Sequence, residues 1–113
     1  MKNKETALKI AEMLSKKKAL DIVMIDISEK SSFADFFVNA SVSSERQLNA
    51  LAEEAENILF LEGYNPRGKE GRPESGWILI DGGDVIVNLF YIDIREKYSL
   101  DKLWSDCNIT IFE

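Results

Sequence analysis

The sequence predicts one α/β domain spanning residues 1–113, with elements in the order αββαββα and room for an edge strand at the end. Three observations carry this prediction. Two segments, about residues 4–17 and 44–62, place apolar residues at helical spacing. Two runs, Asp21–Ser28 and Phe36–Val42, read as strands, the first of them near-continuously apolar and so covered on both faces. The third is Gly76–Tyr91, where Gly82-Gly83 separates two β-rich runs, a strong signal for a two-residue hairpin loop because primed turns need positive φ. A chain of 113 residues supports one core of this kind.

In the first helix Ala7, Ile10, Ala11 and Leu14 form the buried stripe, flanked by Leu8 and Met13. Lys16-Lys17-Lys18 falls where this helix should end, and cations there complement the helix dipole. Asp21-Ile-Val-Met-Ile-Asp-Ile-Ser28 has few polar interruptions and reads as a strand covered on both faces. Ser31–Asp35 reads as a turn, and Phe36–Val42 as the second strand. Ser44 is a natural N-cap for the second helix, and Gln47 completes a capping box. Leu48, Leu51, Ala52, Ala55, Ile58 and Leu59 make its stripe, and Glu53, Glu54 and Glu56 fall outside it. Gly63 suits the C′ position and Pro66 blocks continuation. Residues 65–75 are rich in Gly, Pro and charge and read as a loop, the segment with most freedom to move. After the hairpin, Asp93–Tyr98 suggests one or two helical turns, Asp101–Trp104 a short amphipathic turn, and Asn108–Phe112 an alternating edge strand.

The hairpin is the most informative segment. With Gly82-Gly83 as its loop, Asp81 faces Asp84, Leu79 faces Ile86 and Trp77 faces Asn88. Side chains alternate along a strand. Ile78, Ile80, Val85, Val87, Leu89 and Tyr91 therefore share a core face. Trp77, Leu79, Asp81, Asp84, Ile86, Asn88 and Phe90 share the other. That second face mixes two aromatic rings with an amide and two carboxylates, a composition suited to meeting a partner, and these seven residues are the candidate partner-binding site.

Composition narrows the function classes. There is no histidine, so the commonest general base and metal ligand is absent. A lone Cys107 gives neither a disulfide framework nor zinc-ligand spacing. Asp21 and Asp26 lie five apart, on opposite faces of a strand, and read as strand-end residues rather than a catalytic pair. Asp81 and Asp84 read as turn acceptors. Gly68-Lys-Glu-Gly71 lacks the spacing of a phosphate-binding loop. No catalytic residue, cofactor or metal site is therefore expected. The net charge of −6, from 20 acidic and 14 basic groups, disfavours nucleic-acid backbones and favours a basic protein partner. No apolar run has the ~18–20 residues of a membrane span, and no signal-peptide pattern follows Met1. The expectation is a cytoplasmic protein with no membrane and no direct DNA contact.

Asp21–Ser28, Lys30–Val38, Ser44–Gln47, Gly63–Pro66, Glu70-Gly71, Gly76–Asp81, Gly83–Val87, Arg95, Tyr98 and Leu100–Trp104 follow one another along nearly the whole chain. Together, in this order, these blocks are similar to the Iojap-like ribosomal silencing factors. The resemblance implies a small mixed-sheet domain with a nucleotidyltransferase-like core and no enzymatic activity. It implies binding to the large ribosomal subunit, chiefly through its fourteenth protein, so that the small subunit cannot join and translation falls when nutrients fail. It also implies a homodimer when free. This chain departs from the pattern at Asn88, where the family usually has His, and in the tail Asp106–Glu113. The runner-up reading is a degenerate nucleotidyltransferase-like nucleotide-binding protein. The Gly-Ser loop and Asp-X-Asp pair that such chemistry needs are absent, and fold likeness alone does not carry function.

Overall fold

In a computed structural model, residues 2–29, 34–65, 68–72, 75–97 and 107–112 are described. The chain runs α1 (Lys2–Lys16), β1 (Leu20–Asp26), β2 (Phe36–Val42), α2 (Glu45–Leu61), β3 (Gly68–Arg72), β4 (Trp77–Asp81), β5 (Val85–Tyr91), α3 (Ile92–Lys97) and β6 (Asn108–Phe112). The strands form one six-stranded mixed sheet in the order β3-β4-β5-β2-β1-β6. Only β2 and β5 pair in parallel; the other neighbours are antiparallel.

Helices α1 and α2 cover one sheet face. The stripe Ala7, Ile10, Ala11 and Leu14 of α1 and the stripe Leu48, Leu51, Ala52, Ala55 and Leu59 of α2 are buried. They pack on Ile22, Met24, Val38, Ala40, Ile78, Ile80, Val85, Val87 and Leu89. This is the main core, and the hairpin's aliphatic face lies in it as expected. A smaller cluster of Ile25, Ile27, Ala34, Phe37 and Ile86 occupies the opposite face. Strand β1 therefore contributes to both clusters, as its near-continuous apolar run implied.

The termini of α2 show why the helix starts and stops where it does. The Ser44 side chain accepts a hydrogen bond from the Gln47 backbone N–H at 3.1 Å. Gln47 Oε1 returns not to Ser44 but to the backbone N–H of Ser43, at 3.0 Å. Its Nε2 donates to the carbonyls of Lys17 and Lys18 at 3.3 and 3.4 Å, tying the end of α1 to the start of α2. At the other end Gly63 takes φ +89°. The Tyr64 N–H donates to Leu59 O and the Gly63 N–H to Phe60 O, the paired bonds of a Schellman motif.

Two expectations change, and one strand carries an irregularity. Residues 68–72, read as loop, form an edge strand. The exposed backbone of β4 requires partners, and the run Gly-Lys-Glu-Gly-Arg supplies them despite its turn-like composition. Gly71, at φ +91°, makes the close approach possible: a Cβ there would lie 2.1 Å from the Trp77 carbonyl oxygen. The hairpin loop is Gly83-Asp84 rather than Gly82-Gly83, because Gly82 N–H donates to Val85 O at 3.0 Å. Gly83 supplies the positive φ at the first loop position, as a II′ turn asks. Trp77 consequently faces Phe90, Leu79 faces Asn88 and Asp81 faces Ile86. The register moves by two residues, so every side chain keeps its expected face. Finally, β1 carries an irregularity between Leu20 and Val23, where Asp21 takes φ +47°. The expected elements at Ser31–Phe33, Tyr98 and Asp101–Trp104 lie outside the described residues.

Candidate partner-docking surface

The face of β4 and β5 opposite α1 and α2 carries the candidate residues, and the sheet sorts them by depth. Trp77, Leu79 and Asp81 are half-buried and Asp84 is exposed. Ile86 and Asn88 are each 7% exposed and Phe90 1%. The expectation that Ile86, Asn88 and Phe90 offer surface to a partner is therefore corrected. Strand β5 lies inside the sheet, between β4 and β2, and its side chains on this face are covered. The accessible part of the seven-residue set reduces to Trp77, Leu79, Asp81 and Asp84, with the other three as its foundation.

That foundation is built from specific contacts. The rings of Trp77 and Phe90 lie 5.6 Å apart at 50°, a tilted aromatic pair. The guanidinium of Arg95, itself 7% exposed, sits 5.7 Å over the Phe90 ring. Arg95 Nη1 also donates to the Asp21 carbonyl at 2.7 Å and to Ser41 Oγ at 3.0 Å. The left-handed backbone of Asp21 thus belongs to a carbonyl that receives α3's buried cation.

A polar seam crosses the sheet beside this stack. The Trp77 indole Nε1–H donates to Asn88 Oδ1 at 3.2 Å. Asn88 Nδ2 donates to Asn39 Oδ1 at 3.1 Å. Asn39 and Asn88 are direct partners in the parallel β2–β5 ladder, and both are buried. An indole nitrogen is a donor only. Asn88 must therefore turn its oxygen to Trp77 and its amide nitrogen to Asn39, which fixes the direction of the whole chain of bonds.

Beside Trp77 lies a cleft of about 430 Å³ lined by Glu70, Gly71, Ser75, Trp77, Leu79 and Ile94. Sequence reasoning missed Glu70, Ser75 and Ile94, because they join the site only once β3 pairs with β4 and α3 folds behind the hairpin. Of the two carboxylates read as turn acceptors, Asp81 alone is seen in that role. Asp81 Oδ1 accepts from the Gly83 N–H at 2.9 Å, and Asp84 stays in solvent with its carbonyl receiving the N–H groups of Asp35 and Phe36. Asp93 Oδ1 accepts from the Ile94 N–H at 3.1 Å at the start of α3. Among the described residues, no group of three or more Cys, Asp or Glu side chains could hold a metal ion.

The sheet order, the face covered by α1 and α2 and the aromatic face opposite them place this chain in a class of small mixed-sheet α/β domains already seen in crystals. A structure from Chromobacterium violaceum matches it with a TM-score of 0.85 at 31% identity, over 93% of this chain and 88% of that one. The family model described as ribosomal silencing factor during starvation matches residues 1–113. The chain belongs to that family, the ribosomal silencing factors. The silencing factor of Halalkalibacterium halodurans is 36% identical over 106 residues, covering 94% of this chain and 91% of that protein. That of Bacillus subtilis is 37% identical over 105 residues, covering 92% and 89%. These relatives bear the names of regulators of the ribosome, not of enzymes.

Proposed function

We propose that this protein represses translation by binding the large ribosomal subunit through the Trp77 surface and obstructing the joining of the small subunit when nutrients are limiting. The fourteenth large-subunit protein is the proposed contact, the cytoplasm the proposed location, and a homodimer the proposed free form. Family membership supports the ribosomal role. The single observation supporting this surface is the half-buried Trp77 beside an open cleft, seated on buried Phe90, with Glu70 on the cleft wall and Asp81 and Asp84 toward the hairpin turn of the same ribbon.

The physics of such a contact follows from these residues. Tryptophan is the side chain most often found at the energetic centre of an interface. Covering the indole and Leu79 removes apolar area worth roughly 25 cal/mol per Å² before the costs of association. Carboxylates at the rim meet Lys or Arg on a basic ribosomal protein, speeding encounter and fixing orientation more than adding affinity. No chemical step is needed once the domain is seated. A body with extents of 33 × 31 × 24 Å stands where the other subunit must approach.

The test is co-sedimentation of the purified protein with large subunits. Wild type is expected to pellet with them. Trp77→Ala is expected to keep its fold, by circular dichroism, and to lose at least about 2 kcal/mol of binding, the measure of a hot spot. Undiminished co-sedimentation of a folded Trp77→Ala variant would overturn the assignment of this surface. Failure of wild type to pellet would overturn the function.

A further inference from the structure

We propose that the buried amide pair Asn39–Asn88 positions the Trp77 indole for docking, and that Asn at position 88 makes this positioning indifferent to pH. The inference rests on the docking role of Trp77 proposed above and adds the residues that orient it.

The geometry singles out this pair. A half-exposed indole on a sheet face has rotamers to choose among, and its Nε1–H is satisfied by water in most of them. Here it is satisfied by a buried acceptor, Asn88 Oδ1 at 3.2 Å. That acceptor cannot rotate away cheaply. Turning the Asn88 amide over would aim its NH₂ at a donor-only nitrogen and its oxygen at the oxygen of Asn39, two repulsions in place of two bonds. Asn39, 3% exposed, is in turn fixed by its place directly opposite Asn88 in the β2–β5 ladder. The indole is thus held at both ends, its ring against Phe90 and its nitrogen by a two-amide relay anchored in the middle of the sheet. Preorganisation of this kind lowers the ordering cost of binding.

The chemistry of the relay also determines its response to protons. It needs, at position 88, one acceptor toward Trp77 and one donor toward Asn39. An amide offers both at every pH a cell reaches. A neutral imidazole offers both as well, but an imidazolium is a donor on each nitrogen and has nothing left to accept the indole proton. Among the described residues, the charged groups toward this seam are Glu70 of β3, on the cleft beside Trp77, Asp81 of β4 and Arg95 of α3; Asp81 and Arg95 are bonded to backbone, and none of the three bonds to the two amides or the indole nitrogen. With Asn88 in place, no titrating group enters the relay.

The experiment follows the Trp77 indole N–H by NMR, its resonance assigned by its loss in Trp77→Ala, together with large-subunit co-sedimentation between pH 5.5 and 8. In wild type the indole proton should exchange slowly with water, and neither it nor binding should change across that range. Asn88→Leu, which removes the acceptor at similar volume, should speed the exchange and weaken binding about tenfold, the effect of one hydrogen bond. Asn88→His should bind like wild type at pH 8. Its binding should fall, and its indole exchange rise, as the pH drops through the imidazole range near ~6.5 or below. A folded Asn88→Leu with unchanged exchange and binding would overturn the proposal, as would an Asn88→His whose binding is flat with pH. If Asn88→Leu does not fold, Asn88→His at pH 8 and below carries the test. If wild type does not pellet with large subunits, the docking role fails, while the exchange data still report on the relay.

Discussion

At the scale of single residues, the surface divides into what a partner can touch and what holds that surface in place. Phe90 illustrates the second kind. It is 1% exposed, pairs with the Trp77 ring and lies under the Arg95 guanidinium. Phe90→Ala should cost about 3–5 kcal/mol of folding stability, the penalty for emptying a filled aromatic site. That loss is read from the denaturant midpoint, with any weakened subunit binding recovered where the variant remains folded. The contrast with Trp77→Ala, which should lose binding and little stability, separates support from contact. Which aromatic plays which role was not legible in the sequence. Both alternate onto the same strand face, and only the neighbours of each strand, β3 beside β4 and β2 beside β5, determine which ring is covered.

At the scale of elements, local chemistry was the best guide where local chemistry decides. The boundaries of β2 agree with its apolar run, and those of α2 with its Ser44 cap and Gly63 stop. Ser44→Ala should therefore cost about 1 kcal/mol of stability, measured by chemical denaturation, and leave subunit binding unchanged because the cap lies away from the Trp77 surface. Strand β3 escaped notice for the opposite reason: its residues have turn propensities, and its conformation is imposed by the free edge of β4. The hairpin loop was displaced by one residue, yet the faces survived, because a register shift of two preserves alternation. The relay through Asn39 could not be found from spacing, since its members stand 49 positions apart and meet only through the parallel β2–β5 pairing.

At the scale of the whole molecule, charge and hydrophobicity make separable contributions to docking. The chain carries a net charge of −6, which repels phosphate backbones and draws the protein to cationic surfaces. Binding centred on an apolar anchor with a carboxylate rim should weaken only modestly between 50 and 200 mM salt, whereas neutralising 6–10 phosphates would weaken it by roughly 10³–10⁵. Co-sedimentation across a salt series checks this, and a steep slope would turn attention to ribosomal RNA. The strand order has one more consequence. Strand β1, early in the chain, is flanked on one side by β6, which follows every other strand in sequence. A chain cut short before Asn108 leaves Leu20–Asp26 with a bare backbone rim along an apolar ribbon, the arrangement that invites neighbouring molecules to add themselves as strands. Such a truncated polypeptide should scatter light increasingly with concentration where the chain retaining β6 does not. The tail strand would then serve to keep β1 flanked on both sides, by β2 and by β6.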